Sequence, residues 1–177
     1  HPNSHALEGR FWHEFCKALA GPHTLVVRPC MGNYREVNAR GLYDSGHLVR
    51  RTMICLPRPV EAQTEMESMP FTLYSKSCAF TRLQNALSFV MGADGVTMNI
   101  FDHCGSPMEN WPQYGRSLAE AKPFLHAIAE RCLPDGRERG VGLLHHPRGA
   151  DAMRVKPGAD YGDLRQKDSG WLQAVEV

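Results

Sequence analysis

The chain has 177 residues, 42% of them hydrophobic, with 20 basic and 19 acidic side chains for a net charge of +1. That is room for one domain with a short overhang, and enough apolar mass to bury a core, which excludes wholesale disorder. The even charge speaks against a nucleic-acid binder driven by bulk charge, and apolar runs of a few residues fall far short of the ~20 needed to span a membrane.

The sequence opens His1-Pro2-Asn3-Ser4-His5, with no initiator Met and no signal-peptide pattern. It closes at Trp171-Leu172-Gln173-Ala174-Val175-Glu176-Val177, which reads as a helix just starting. Both ends are those expected of a fragment. Without a secretory segment, a cytoplasmic setting is the default. The six cysteines (Cys16, Cys30, Cys55, Cys78, Cys104 and Cys132) form no C-x-x-C pair and read as small buried free thiols.

In chain order, Phe11, Phe15 and Leu19 recur every fourth position within residues 7–19, with Trp12 and Cys16 beside them. That predicts an amphipathic helix, stopped by Gly21-Pro22. Residues 24–27, Thr24-Leu25-Val26-Val27, read as a buried strand. It runs into Arg28-Pro29 and a loop with Gly32, Asn33 and Tyr34. A second helix is predicted over 42–56, with Leu48, Thr52 and Cys55 on one side and Pro57 and Pro59 ending it. Residues 60–64 read as a second, polar strand.

Pro70 starts a third helix, best over 73–91, with a stripe of Ala79, Leu83, Ala86 and Val90 and with Phe80 and Leu87 adjoining. Gly92 stands where a helix C′ glycine belongs. The turn Ala93-Asp94-Gly95 leads into a third strand over 96–101, ending at Asp102. After a loop rich in Gly, Pro, Asn and Trp, Ser117-Leu118-Ala119-Glu120 has the capping-box form. It predicts a helix through Leu125, Ile128 and Cys132, kinked at Pro123 or started one turn later. A linker at 134–140 precedes a fourth strand candidate, Val141-Gly142-Leu143-Leu144, and a polar remainder.

Alternating helices and strands mean parallel strands with helical crossovers, in a doubly wound sheet or part of a (β/α)8 barrel. No Gly-rich phosphate fingerprint follows any strand. The long polar loops follow strands while the helix-to-strand turns are short, the asymmetry of a barrel's active face.

Strand alternation puts Glu61, Gln63, Glu65 and Glu67 on one face. At a strand end, a carboxylate opens into an active-site mouth as nucleophile or general acid/base. The competing reading is an edge strand with ordinary surface glutamates. Arg28, Asn99 and Asp102 occupy equivalent strand-end positions. An Arg or Asn there holds sugar hydroxyls or orients the carboxylate, or Arg28 merely pairs with a glutamate. Trp111 and Tyr114, in the loop after the third strand, either stack on a sugar ring or pack the loop. His1, His5, His103, His145 and His146 offer a rival metal site, but their spacing does not converge, and no metal is expected.

Glu65-Met66-Glu67-Ser68-Met69-Pro70-Phe71-Thr72, then Tyr74-Ser75-Lys76-Ser77, then Met91-Gly92-Ala93-Asp94-Gly95-Val96, then Asn99-Ile100-Phe101-Asp102, resembles the last third of clan A glycoside hydrolases. The named relatives are the β-galactosidase-like enzymes of glycoside hydrolase family 42. The match is good for residues 60–102 and looser for 5–59 and 103–133. In that family the nucleophilic glutamate ends the seventh barrel strand. A helix follows, then a Gly-Ala-Asp-Gly-Val turn into the eighth.

The resemblance implies an α/β fold: the C-terminal part of a (β/α)8 TIM barrel, about strands 6 to 8, over residues 1–133. A linker (134–140) and the start of a second α/β domain or tail (141–177) would follow. It implies Glu65 as nucleophile, with Glu67 second; Arg28, Tyr34, Asn99, Asp102 and Trp111, from their strand-end and loop positions, are the candidate substrate contacts. The reaction implied is retaining hydrolysis of β-linked sugars, with a carbohydrate partner and no cofactor. The family's acid/base glutamate comes from an Asn-Glu pair, a dipeptide this chain lacks, so the segment alone is expected to be inactive. Two other classes compete. One is a non-catalytic carbohydrate-binding or assembly module that forms a homo-oligomer through open strand edges. The other is a metal-dependent TIM-barrel hydrolase.

Overall fold

The computed structural model describes residues 11–37, 39–57, 59–68, 75–99, 105–132, 154–160 and 163. Its elements are α1 (Trp12–Ala20), β1 (Leu25–Val27), α2 (Ala39–Cys55), β2 (Val60–Glu67), α3 (Cys78–Val90), β3 (Gly95–Asn99), a 3-10 turn (Met108–Asn110) and α4 (Pro112–Arg131). The fold is mixed α/β. The three strands form a parallel sheet in the order β1-β2-β3. Parallel neighbours need a long crossover, and α2 and α3 supply the two required here.

The register runs from Leu25↔Val60 to Val27↔Ala62 on one side of β2 and from Gln63↔Gly95 to Glu67↔Asn99 on the other. β2 alternates as its sequence requires. Val60, Ala62, Thr64 and Met66 are buried, while Glu61 is exposed and Gln63, Glu65 and Glu67 are half-buried. The strand continues three residues beyond the sequence expectation. β3 supplies backbone partners there, and Ser68 N donates to Asn99 O at 3.1 Å.

All four helices contribute to the Val60–Met66 face. Cys16 of α1 and Val49 and Met53 of α2 join Met31, Leu56, Val60 and Ala62 in one core, which Leu87 and Met91 adjoin. Met66 packs with Tyr114 in a second cluster, which Leu118 of α4 adjoins. α2 approaches the end of α3 closely at Gly46, where a Cβ would stand 3.1 Å from Met91 Cε. A side chain there would require the Met91 methyl to give by a few tenths of an ångström. Among the described residues no helix packs on the opposite face, where Val26 and Glu61 are exposed.

Several predicted faces and ends differ. In α1 the inward residues are Trp12 and Cys16, while Phe11, Phe15 and Leu19 are exposed. In α2 the buried side is Ser45, Val49, Thr52 and Met53; of the predicted side Thr52 is buried and Leu48 half-buried, and the Cys55 side chain lies outside the described residues. In α3 the predicted stripe points away: Leu83 and Val90 are each 53% exposed, and Phe80, Thr81, Gln84, Asn85 and Ser88 are buried. Ser88, Gln84 and Thr81 find partners there, Thr64 Oγ1 donating to Ser88 Oγ at 2.9 Å and Lys76 Nζ to Gln84 Oε1 at 2.9 Å, whereas the buried Asn85 amide has no hydrogen-bond partner among the described residues.

α4 starts at Pro112, five residues before the capping-box serine. Pro is suited to the first helical position, where its missing N–H costs nothing. Ser117 is a buried mid-helix residue, and the helix runs unbroken through Pro123. Gly92 takes φ +93° just past the α3 cap Met91, in the C′ place expected of it.

The four described cysteines whose side chains are resolved, Cys16, Cys30, Cys78 and Cys132, are free thiols. No helix among the described residues is long and apolar enough to cross a membrane. The linker at 134–140 and the strand at 141–144 lie outside the described residues, as does the segment 69–74.

Candidate functional site

The site grows from the C-terminal ends of the strands. β1 ends at Val27, paired with Ala62, so Arg28 follows it alongside the middle of β2. The chain stays in register a little longer. Glu65 N donates to Pro29 O at 2.8 Å, Met31 N donates to Glu65 O at 3.1 Å, and Cys30 bridges Glu65 in parallel. This backbone clamp fixes Glu65 against the start of the Tyr34 loop.

Arg28 Nη2 then donates to Glu65 Oε1 at 2.7 Å. The arginine is 58% exposed and the glutamate 18% exposed. A charge-assisted bond of this length is directional, so it sets where the carboxylate points. The second oxygen of Glu65 makes no hydrogen bond among the described residues.

Tyr34 reaches the same corner. Its hydroxyl shares a 3.5 Å hydrogen bond with Cys30 Sγ. That bond first, then burial, then negative charge that includes the carboxylates of Glu65 and Glu67, push the Tyr34 phenol well above its usual range. The group is a protonated donor at neutral pH. Glu67 lies two residues beyond Glu65 on the same face and pairs in register with Asn99, the last residue of β3.

A pocket of about 530 Å³ is lined by Glu36, Ser75, Lys76, Ser77, Cys78, Trp111, Gln113 and Tyr114. Lys76 is one of the lining residues but only 4% exposed, and its Nζ donates to Gln84 Oε1 at 2.9 Å. Gln84 in turn donates to Asn33 O at 3.3 Å, tying the pocket to the Tyr34 loop. Burial pulls the Lys76 ammonium down to a pKa of about 8, against an opposing pull from Glu67. Tyr114 OH donates to Lys76 O at 2.7 Å. At the rim, Glu36 accepts from Ser77 N at 2.7 Å, and that bond lowers its carboxyl pKa.

Of the residues singled out by sequence, Arg28, Glu65, Glu67, Tyr34 and Asn99 come together at one end of the sheet. Trp111 sits apart from them as the residue before α4 and lines the Lys76 pocket. Tyr114 is a buried residue of the first turn of α4 and packs against Met66. Asp102 lies outside the described residues, as do His1, His5, His103, His145 and His146. Sequence reasoning missed Lys76, Glu36 and Cys30. Lys76 sits between two serines in a polar stretch, and nothing local marks it as buried. The one available signal was its place within the Tyr74-Ser75-Lys76-Ser77 segment that carries the family resemblance. Comparison of the chain with protein-family models, curated proteins and solved structures finds no match.

Proposed function

We propose that this chain carries the nucleophile side of a retaining glycoside hydrolase acting on β-linked sugars, built as strands 6 to 8 of a (β/α)8 barrel. The observation that carries the reading is the Arg28–Glu65 pair. It joins the residue after β1 to the C-terminal half of the adjacent parallel strand β2, on the face that no described helix covers. Strand order follows chain order with no reversal, and both crossover helices lie on one face. Consecutive order with both crossovers on one face is shared by a barrel segment and by one βαβαβ half of a doubly wound sheet, so the topology is compatible with the barrel without selecting it.

In this reading Arg28 holds one oxygen of Glu65, and the other attacks the anomeric carbon. The bond to the leaving oxygen breaks as a second carboxyl group, ~5–5.5 Å away and supplied by another strand, gives that oxygen a proton. Water activated by the same group then cleaves the glycosyl ester. Tyr34 and Asn99 donate to sugar hydroxyls at the rim.

A 2-deoxy-2-fluoro-β-galactoside with a dinitrophenolate leaving group tests this, because such a leaving group departs without acid help. In the protein carrying this segment, the label is expected on Glu65, and Glu65→Gln is expected to abolish it. Labelling elsewhere, or full hydrolase activity in the Glu65→Gln, Glu67→Gln double variant, would sink the assignment.

A further inference from the structure

Between Met31 and Tyr34 the chain turns through two consecutive left-handed residues, Gly32 at φ +60° and Asn33 at φ +52°. Asn33 is the one non-glycine residue at positive φ among the described residues. Such a conformation persists only where its surroundings over-determine it. Gln84, fully buried in α3, does so here. Its Nε2 donates to Gly32 O at 3.4 Å and to Asn33 O at 3.3 Å. An amide nitrogen carries two hydrogens, so it serves both carbonyls at once.

A glutamine amide turned over would set its oxygen against the same two carbonyls. Lys76 prevents that. Its Nζ has only hydrogens to give, and it donates to Gln84 Oε1 at 2.9 Å. The oxygen end is thereby fixed toward the lysine and the N–H end toward the turn. Both side chains are buried, and buried hydrogen bonds of this kind specify one arrangement. Past Tyr34 the chain is fastened again. Glu36 N donates to Ser75 O at 2.9 Å, and Glu36 Oε2 accepts from Ser77 N at 2.7 Å.

Tyr34 lies between these two fastenings. Its hydroxyl meets Cys30 Sγ at 3.5 Å. Cys30 is the register partner of Glu65, and register partners send their side chains to one face of a sheet. The hydroxyl therefore stands on the Glu65 face, where the charges of Glu65 and Glu67 act on it. The Gln84 bonds that hold its loop are made on the opposite, helix-covered side.

We infer that Lys76 and Gln84 are positioning residues for Tyr34: they lock the Gly32-Asn33 turn from the helix side and so set where the Tyr34 hydroxyl stands on the Glu65 face. This rests on the hydrolase reading above and deepens it, because Tyr34 there donates to a sugar hydroxyl. Lys76 and Gln84 touch no substrate and act through the turn alone.

The test reads Tyr34 directly, in the 177-residue chain labelled with carbon-13 at the tyrosine Cζ and with the resonance assigned by Tyr34→Phe. Gln84→Glu keeps the side chain's shape and the acceptor for Lys76 but removes both N–H donors. It is expected to shift the Tyr34 resonance. Asn85→Ala, which removes the neighbouring buried α3 amide that bonds nothing among the described residues, is expected to leave it in place. The fluoroglycoside label gives a second readout in the protein carrying this segment. Gln84→Glu should raise the half-saturating concentration about fivefold to tenfold, the worth of one hydrogen bond, with the limiting labelling rate little changed. Combined with Tyr34→Phe it should raise that concentration no further, because both act through one hydroxyl. If Gln84→Glu fails to fold, Lys76→Met takes its place and is expected to shift the Tyr34 resonance by freeing the amide to turn over. An unmoved resonance in the folded variant overturns the inference, as does full additivity with Tyr34→Phe or an equal shift in Asn85→Ala. Absence of label on Glu65 would sink the hydrolase reading, and the resonance would still decide whether Lys76 and Gln84 hold Tyr34.

Discussion

Lys76 has a measurable signature at the scale of a single residue. Its pKa is about 8 in the folded protein and 10.5 in a solvated chain. Below pH 8 both folded and unfolded states hold the proton, and folding bears the whole cost of burying the charge. Between pH 8 and 10.5 the folded amine is neutral while the unfolded chain still binds the proton. Stability against unfolding therefore rises with pH across that window, and the cost is gone above it. The shift corresponds to about 1–3 kcal/mol once solvent reaching the pocket is allowed for. Lys76→Met is accordingly expected to raise stability at pH 7, less the lost bond to Gln84. That advantage should fade by pH 10.5, as read by urea unfolding at several pH values. A pH-independent difference would mean that the lysine is solvated.

The turn between α3 and β3 is the clearest device at the scale of elements. Gly92 sits at φ +93°, where a side chain is strained. Asp94 then substitutes for a strand partner: Ala62 N donates to its Oδ2 at 2.8 Å, and Asp94 N donates to Ala62 O at 2.8 Å. The Gly-Ala-Asp-Gly run is thus a way to end a helix and enter a parallel strand in register beside β2. Gly92→Ala should cost about 1–2 kcal/mol from backbone strain. Asp94→Ala should cost about 1–3 kcal/mol because Ala62 N–H loses its acceptor. Denaturant midpoints that move together with an unchanged slope would confirm a folded-state effect. An unchanged midpoint for either variant would contradict this account of the turn.

At the scale of the whole molecule, one face of the sheet has no helix over it among the described residues. Parallel sheets are buried on both faces, and open strand edges invite pairing. Here one face carries Val26, Glu61, Gln63, Glu65 and Glu67 with no described helix over it. The 177-residue chain alone is expected to self-associate with rising concentration, measured by sedimentation velocity. A monomer at every concentration would argue that this face is stable in water and weaken the barrel reading.

The sequence by itself determined the alternation of helices and strands, the place of Arg28 just after β1, the shared face of Glu61, Gln63, Glu65 and Glu67, and the C′ glycine at Gly92, while β2 runs past Glu65 to Glu67. These follow from local rules: periodicity, turn chemistry and proline or glycine punctuation. Tertiary structure decided which face of each helix turns inward. The apolar stripe of α3 could not announce that Gln84 and Ser88 would find Lys76 and Thr64 to bond, because those partners come from outside the helix. It also decided the Arg28–Glu65 contact across 37 residues of chain and the burial of Lys76 behind Tyr114. A side chain's charge environment depends on neighbours distant in sequence, and only the folded chain brings them to the same place.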